Sequence, residues 1–593
     1  MKSKTLPLLS QTKIIMKLKQ ILAISILLSA SVGANATAQT KKQLPNPFDF
    51  PILLSGNFGE LRANHFHSGI DFKTQGAEGK PIKAIQDGYI SRISVSPTGY
   101  GNCLYIDHPD GTTTVYGHLK KFPAKVEKYI KEQQYAKESF SVNLFPKSDM
   151  FPVKKGEIVA YSGNTGSSGG PHLHFEVRDT KTEDVMDPIP YFSKSIKDKT
   201  APQIRGIRVY PVEGGGIVNS SSKKQNIKII NDAKSKKQKA EAVEAWGEIG
   251  FAIKCYDKMD GTPNIYGVRS ISLSVDGEEI FNSEIDRFAF SETRYLNSLI
   301  DYADWKNNNS FYIKSFVDPG NKLRFLSARN RGIVNINEER TYNFIYTLKD
   351  YFGNTTTLKI PVKGKKQDIP TAETEGRELF IWSKDNRFGA KGVRMHIPKG
   401  NLYQSVYIKY SVRDDTTLMA PTHYLNDEPV ALHKKAMLSL KINSDADTLK
   451  NKKQYGIVQW NKGKQRWIGG TYKNGWVNGE IRELGAYTVR KDTKKPSIIP
   501  VGKETWNQKK KIVFRLTDDL SGVETYRGEI DGKYALFTMN NKSVITYTYD
   551  SKRLKPGKHH LKLYVKDACD NESVYEYTFS NNSETLTKVK KSR

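Results

Sequence analysis

The sequence predicts a mainly β protein built from several domains, and three observations carry that expectation. Strand-length alternation of apolar and polar residues, broken by glycine-containing turns, recurs along the chain. A partial internal repeat pairs two distant segments, and 593 residues exceed one domain at about 100 to 200 residues each. Three cysteines, Cys103, Cys255 and Cys569, lie too far apart for a dense disulfide scaffold or a four-thiolate metal site. Beyond the N-terminal segment no apolar run reaches the roughly 20 residues that cross a bilayer, which excludes an integral channel or transporter.

Residues 1–38 have the layout of a secretory signal. Lys17 and Lys19 follow an internal Met16, the stretch from Ile21 to Ala30 is apolar, and small residues end in Ala36-Thr37-Ala38. Export to the periplasm, the cell envelope or the extracellular space is expected, with cleavage near Ala38 and no transmembrane helix in the mature chain. Cleavage removes five lysines and no acid, taking the net charge from +30 to +25. Such a surface favours anionic envelope polymers through attraction that weakens with salt. The lysines are scattered without a nucleic-acid motif, so no nucleic acid partner is expected.

Six of the eleven histidines, His65, His67, His108, His118, His172 and His174, fall within one short region that reads as strands and turns. In a strand, residues two apart share a face, so His172 and His174 project together while Leu173 points away. His67 and Asp71, four apart, add an imidazole nitrogen and a carboxylate oxygen, both good zinc ligands. A catalytic zinc wants three protein ligands and an open position. His67, Asp71 and one histidine of the pair give that count and leave the other for acid/base work.

Each signal alone is weak, but the ordered set is specific: His67 to Asp71, Tyr116-Gly117-His118-Leu119, and Gly170-Pro171-His172-Leu173-His174-Phe175-Glu176. With the turns Gly79-Lys80-Pro81, Asp87-Gly88, Gly99-Tyr100-Gly101-Asn102 and Gly163-Asn164-Thr165-Gly166, it resembles peptidase family M23, the lysostaphin/LytM-type zinc metallopeptidases. The resemblance covers about residues 45–190 and implies a β-sheet peptidase domain, at 45–195, holding one Zn²⁺ on His67, Asp71 and His174. It further implies that His118 and His172 act beside the metal, sharing proton transfer and oxyanion stabilisation. Arg62, shortly before the first ligand, is the candidate for assisting the oxyanion. The implied activity is endopeptidase cleavage in the cross-links or stem peptides of peptidoglycan. Two alternatives stand beside it, a catalytically silent LytM-type regulator that binds wall and a wall adhesion protein. A fragment of residues 39–200 that cleaves with zinc would favour the enzyme.

His65 also forms an HxH with His67, but the four-residue step to Asp71 favours His67, leaving His65 at the cleft rim. His108, in Asp107-His108-Pro109-Asp110-Gly111, belongs to a hairpin turn and reads as structural or exposed. Between His118-Leu119 and Val153 the chain inserts a segment, about 122–150, in which 126–139 reads as a polar helix with Val126, Tyr129 and Ile130 on one face. It could wall the substrate cleft or be plain surface.

Asp198-Lys199-Thr200-Ala201-Pro202 reads as a linker. Beyond it, Ile271 to Gly277 parallels Gly528 to Gly532, and Tyr346-Thr347-Leu348-Lys349-Asp350-Tyr351-Phe352-Gly353-Asn354 parallels Leu563-Tyr564-Val565-Lys566-Asp567-Ala568-Cys569-Asp570-Asn571. Two immunoglobulin-like β-sandwiches are expected at 201–365 and 491–582, the first enlarged around Tyr295 to Leu326. Residues 370–490 form a β-rich middle domain carrying Trp382, Trp460, Trp467 and Trp476, and 583–593 a basic tail.

Overall fold

The computed structural model describes residues 43–231, 238–414, 418–443, 447–540 and 543–581. The expected signal 1–38 and the tail 583–593 lie outside them. In chain order the first domain contains β1 (Leu54–Gly56), β2 (Leu61–Arg62), β3 (His65–Phe66), β4 (Ile70–Lys73), β5 (Pro81–Lys83), β6 (Gly88–Val95), β7 (Cys103–Asp107) and β8 (Thr112–Gly117). Helix α1 (Ala124–Ala136), β9 (Val142–Leu144), β10 (Pro152–Val153), β11 (Ile158–Tyr161), β12 (His172–Asp179) and β13 (Val185–Met186) follow.

The main sheet runs β1-β4-β12-β8-β7-β6-β10. Strand β12 is central because both its faces are buried: Leu173, Phe175 and Val177 enter the apolar core, while His174, Glu176 and Arg178 are buried on the opposite face. Antiparallel pairing sets His174 opposite Asp71 of β4 on one side and opposite Gly117 of β8 on the other. The histidine chemistry therefore sits on a rigid three-strand platform.

The predicted insertion helix is found, two or three residues earlier than its pattern suggested, at Ala124–Ala136. Val126, Ile130 and Gln134 bury one face, spaced by four as a helix requires. Its far end docks on the C-terminal domain: Lys131 pairs with Asp550 at 2.8 Å, Glu138 with Arg527 at 2.6 Å, and the Arg553 guanidinium lies 3.5 Å over the Tyr135 ring.

The following region, Gln203 to Gly364, holds a ten-stranded hydrogen-bonded sheet and a separate two-stranded one, Ile229–Asn231 with Gln238–Ala240, and its longest strands are Gln203–Val218 and Val243–Tyr256. Its expected enlargement holds the short helices Leu296–Leu299 and Tyr302–Asn308. The first two domains interlock. Phe58, Phe66 and Val185 lie in the core of the second domain, and Met259 and Tyr266 lie in that of the first. Phe66 packs 5.5 Å from both Phe288 and Phe325, and β13 pairs with Arg287–Phe288.

The middle region has two five-stranded sheets and a two-stranded one, Glu378–Phe380 with Val406–Ile408, and its four tryptophans are half-buried rather than fully exposed. Trp467 lies so close over Gly456 that a Cβ there would fall 2.2 Å from its ring. The C-terminal domain is two four-stranded sheets around one core. The internal repeat is structural: Asp276-Gly277 and Asp531-Gly532 both take positive φ between paired strands, the backbone of a tight hairpin turn. Among the described residues no helix is long and apolar enough to cross a membrane.

Candidate metal centre

The site forms where the loop after β3, strand β4 and strand β12 meet. His67 Nε2 lies 3.1 Å from Asp71 Oδ1 and 3.0 Å from His174 Nδ1, and His174 Nδ1 lies 3.0 Å from Asp71 Oδ1. Tetrahedral zinc with bonds of about 2.0–2.1 Å sets its ligand atoms roughly 3.3 Å apart, so this triangle is of the right size. All three residues are buried.

The outer nitrogens show which atoms are free to ligate. His67 Nδ1–H donates to the Asn57 carbonyl at 2.7 Å, and His174 Nε2–H donates to Glu176 Oε1 at 2.8 Å. Each inner nitrogen is then a lone pair aimed at the others and at a carboxylate oxygen, a donor set that calls for a cation at its centre. Without a cation, and against the effect of burial, bonds to Asp71 and Glu176 raise His174 to about 9, so a proton stands on Nδ1 where a metal would bind and must leave when one does; burial notwithstanding, the neighbouring His67 and His174 hold Asp71 well below the usual carboxylate range.

His172 and His118 flank the triangle. His172 Nδ1–H donates to the Gly170 carbonyl at 2.8 Å, and its Nε2 lies 3.6 Å from Asp71 Oδ1. His118 takes a positive φ of 58° at the end of β8, donates Nδ1–H to the Thr165 carbonyl at 2.8 Å, and has its ring centroid 4.7 Å from that of His172, the planes tilted by 53°. Burial, then the nearby His174 and His172, pushes His118 down to about 3; burial likewise lowers His172. Both are neutral bases at ordinary pH.

Arg62 has its partners behind the ligand set: its Nη2 lies 3.4 Å from Asp71 Oδ2, the oxygen turned away from the triangle, and 3.3 Å from Glu60. His65 is exposed on the hairpin and outside the ligand group. His108 is buried, with Nδ1 2.8 Å from the Asp87 carbonyl and Nε2 2.8 Å from Thr114 Oγ1, which fits the structural reading and not exposure.

Sequence reasoning missed the supporting layer. Glu176 is fully buried and receives Arg178 Nε at 2.7 Å, Tyr100 Oη at 2.6 Å and Ser68 Oγ at 2.5 Å besides His174. Continuing the period-two alternation past His172 and His174 reaches both Glu176 and Arg178. Asn57 had no such signal, since its side chain is clamped by both polar groups of the Gly267 backbone, 210 residues away.

Residues 65–137 and 147–188 match the model of peptidase family M23, and residues 377–492 match that of the Zu5-like domain. The DD-carboxypeptidase/endopeptidase Mpg of Neisseria meningitidis is 32% identical over 149 residues, 25% of this chain and 26% of that protein. Lysostaphin of Staphylococcus simulans is 32% identical over 132 residues, 22% of each chain. The solved catalytic domain of that lysostaphin is 27% identical over 24% of this chain and 92% of its own, with a TM-score of 0.18. The chain spans about a quarter of the length of the curated relatives it matches.

Proposed function

We propose, from the M23 peptidase domain within residues 65–188, that this protein is an exported zinc metalloendopeptidase cleaving peptide bonds in the cross-links or stem peptides of peptidoglycan. The observation that carries the reading is the convergence of His67 Nε2, Asp71 Oδ1 and His174 Nδ1 beside two neutral histidines. The names of the relatives, an endopeptidase that is also a DD-carboxypeptidase and lysostaphin, support the substrate class.

Zinc, when bound, supplies Lewis-acid polarisation of a carbonyl and makes water more acidic. The chain's own groups do the rest. Asn57 and Glu176 fix the rings of His67 and His174. His172, its Nε2 lone pair beside the ligand triangle, accepts the proton of the attacking water and returns it to the leaving amine nitrogen. His118, adjacent and with its Nδ1–H donated to the Thr165 carbonyl, is the alternative acceptor of that proton, and once protonated its Nε2–H would donate to the developing oxyanion. Arg62 holds Asp71 in place through Oδ2. The domains at 201–365, 370–490 and 491–582 position the catalytic domain at the envelope, and the basic surface supports retention there.

The test is digestion of purified peptidoglycan by the full mature chain with Zn²⁺, identifying products by mass. Release of new amino termini that His174→Ala abolishes is the expected result, and the product masses name the bond. Wall binding without cleavage by the zinc-loaded protein would transfer it to the regulator reading.

A further inference from the structure

A second group of carboxylates lies outside the peptidase site. Asp198 of the linker, Asp257 at the end of Val243–Tyr256 and Asp350 at the end of Thr341–Lys349 place one oxygen each within 4.8 Å of one another. All three are more than nine-tenths buried; Asp257 is only 2% exposed. They line a cavity of about 10 Å³ at the seam of the first two domains, together with Asn57 and Asp187 of the peptidase side.

Two of these oxygens have no protein partner. Asp257 Oδ1 and Asp198 Oδ2 are buried and accept no hydrogen bond. Among the described residues no Lys, Arg or His forms an ion pair with any of the three acids; Arg269, which also lines the cavity, is directed to Asp187 at 3.7 Å and Glu284 at 3.1 Å. Burial, and then the charge of Asp198 and Asp350, raises the Asp257 carboxyl to about 8. Three carboxylates this close and this dry are strongly unfavourable unless a cation sits among them.

The internal repeat supplies a comparison within the same molecule. Asp350 Oδ1 accepts Asn354 N–H at 2.8 Å and Oδ2 accepts Asn354 Nδ2 at 2.6 Å; Asp567 receives Asn571 in the same way, at 2.8 and 2.7 Å. Asn354 Nδ2 also donates to the Asp198 carbonyl, as Asn571 Nδ2 does to that of Asp492. In the C-terminal copy Lys494, two residues after Asp492, places its Nζ 2.6 Å from Asp519 of the Asp492–Asp518–Asp519 cluster. The equivalent position after Asp198 is Thr200, whose hydroxyl donates to Asp260 and brings no charge.

We infer that Asp198, Asp257 and Asp350 bind a hard divalent cation, Ca²⁺, at the seam between the peptidase domain and the second domain. An all-oxygen set with a carboxylate majority suits Ca²⁺ over zinc, and the cavity has room for one ion. The ion ties the linker to two strand ends of the second domain. Asn57, which orients the zinc ligand His67, lines the same cavity, so the seam and the peptidase site share a wall.

The experiment is calorimetric titration of calcium-free, zinc-loaded full-length protein with Ca²⁺, with thermal melts in parallel. Saturable binding with Kd of about 10⁻⁵–10⁻³ M and a Tm rise of roughly 3 °C or more are expected. Asp257→Asn and Asp350→Asn should each weaken binding at least about tenfold, whereas His174→Ala should leave it unchanged. Asp257→Asn should also melt no lower than calcium-free wild type, since it removes one of three crowded charges. A folded wild type that takes up no Ca²⁺ at millimolar concentration overturns the inference, and so does undiminished binding by Asp257→Asn. Either result is independent of peptidase activity.

Discussion

Glu176 lies two residues past His174 on the same face of β12 and holds that ligand's outer N–H. Glu176→Gln keeps the shape but weakens the acceptor and leaves Arg178 without its buried partner. Zinc affinity should fall by about 10- to 100-fold, read by competition with a chromogenic chelator, and stability should fall too. His172→Ala should retain zinc and lose about 10²–10⁴ in kcat/KM. Because burial lowers both His172 and His118, the neutral, proton-accepting forms persist as pH falls. The acid limb of kcat/KM should therefore lie below the ordinary imidazole value of about 6.5. A limb at or above that value would mean that neither histidine is the base. The His67–Asp71–His174 group was legible because its residues are chemically distinctive and sit in two short motifs, although 103 residues separate Asp71 from His174. Asn57 was not, because its role is exerted through a backbone carbonyl and a contact with Gly267.

Helix α1 shows what local pattern can and cannot tell. Val126 and Ile130 mark its buried face in the sequence, and its start at Ala124 follows Pro123, which is well placed to open a helix. Nothing in its composition says that Lys131, Tyr135 and Glu138 meet Asp550, Arg553 and Arg527, because those contacts span some 400 residues. The insertion is thus a strut to the C-terminal sandwich as well as a neighbour of the β8 end. Exposed ion pairs contribute only about 0–1 kcal/mol each, so the Tyr135 contacts should dominate. Tyr135→Ala should speed amide exchange along α1 and in 534–553 while leaving zinc content unchanged. Unchanged exchange would show that the strut holds without that ring.

At the scale of the whole molecule, the strand patterns hid how closely the N-terminal β-sheet and the sheet that follows it interlock. The first domain lends Phe58, Phe66 and Val185 to its neighbour's core, and β13 pairs antiparallel with Arg287–Phe288. An isolated fragment of residues 39–200 would expose these side chains and free the Asn57 clamp. It should melt well below the full chain, bind hydrophobic dyes and cleave poorly, so the fragment is a poorer test of activity than the sequence suggested. A fragment as stable and active as the whole would show that the seam is dispensable. The central claim is that three converging atoms hold zinc while His172 performs proton transfer beside it. The most direct test is to measure zinc content and cleavage of a cross-linked peptidoglycan fragment in the same samples of wild type and His172→Ala. The expected result is one zinc per chain in both and rapid cleavage by the wild type alone. Equal cleavage by the two, or a wild type without zinc, would contradict it.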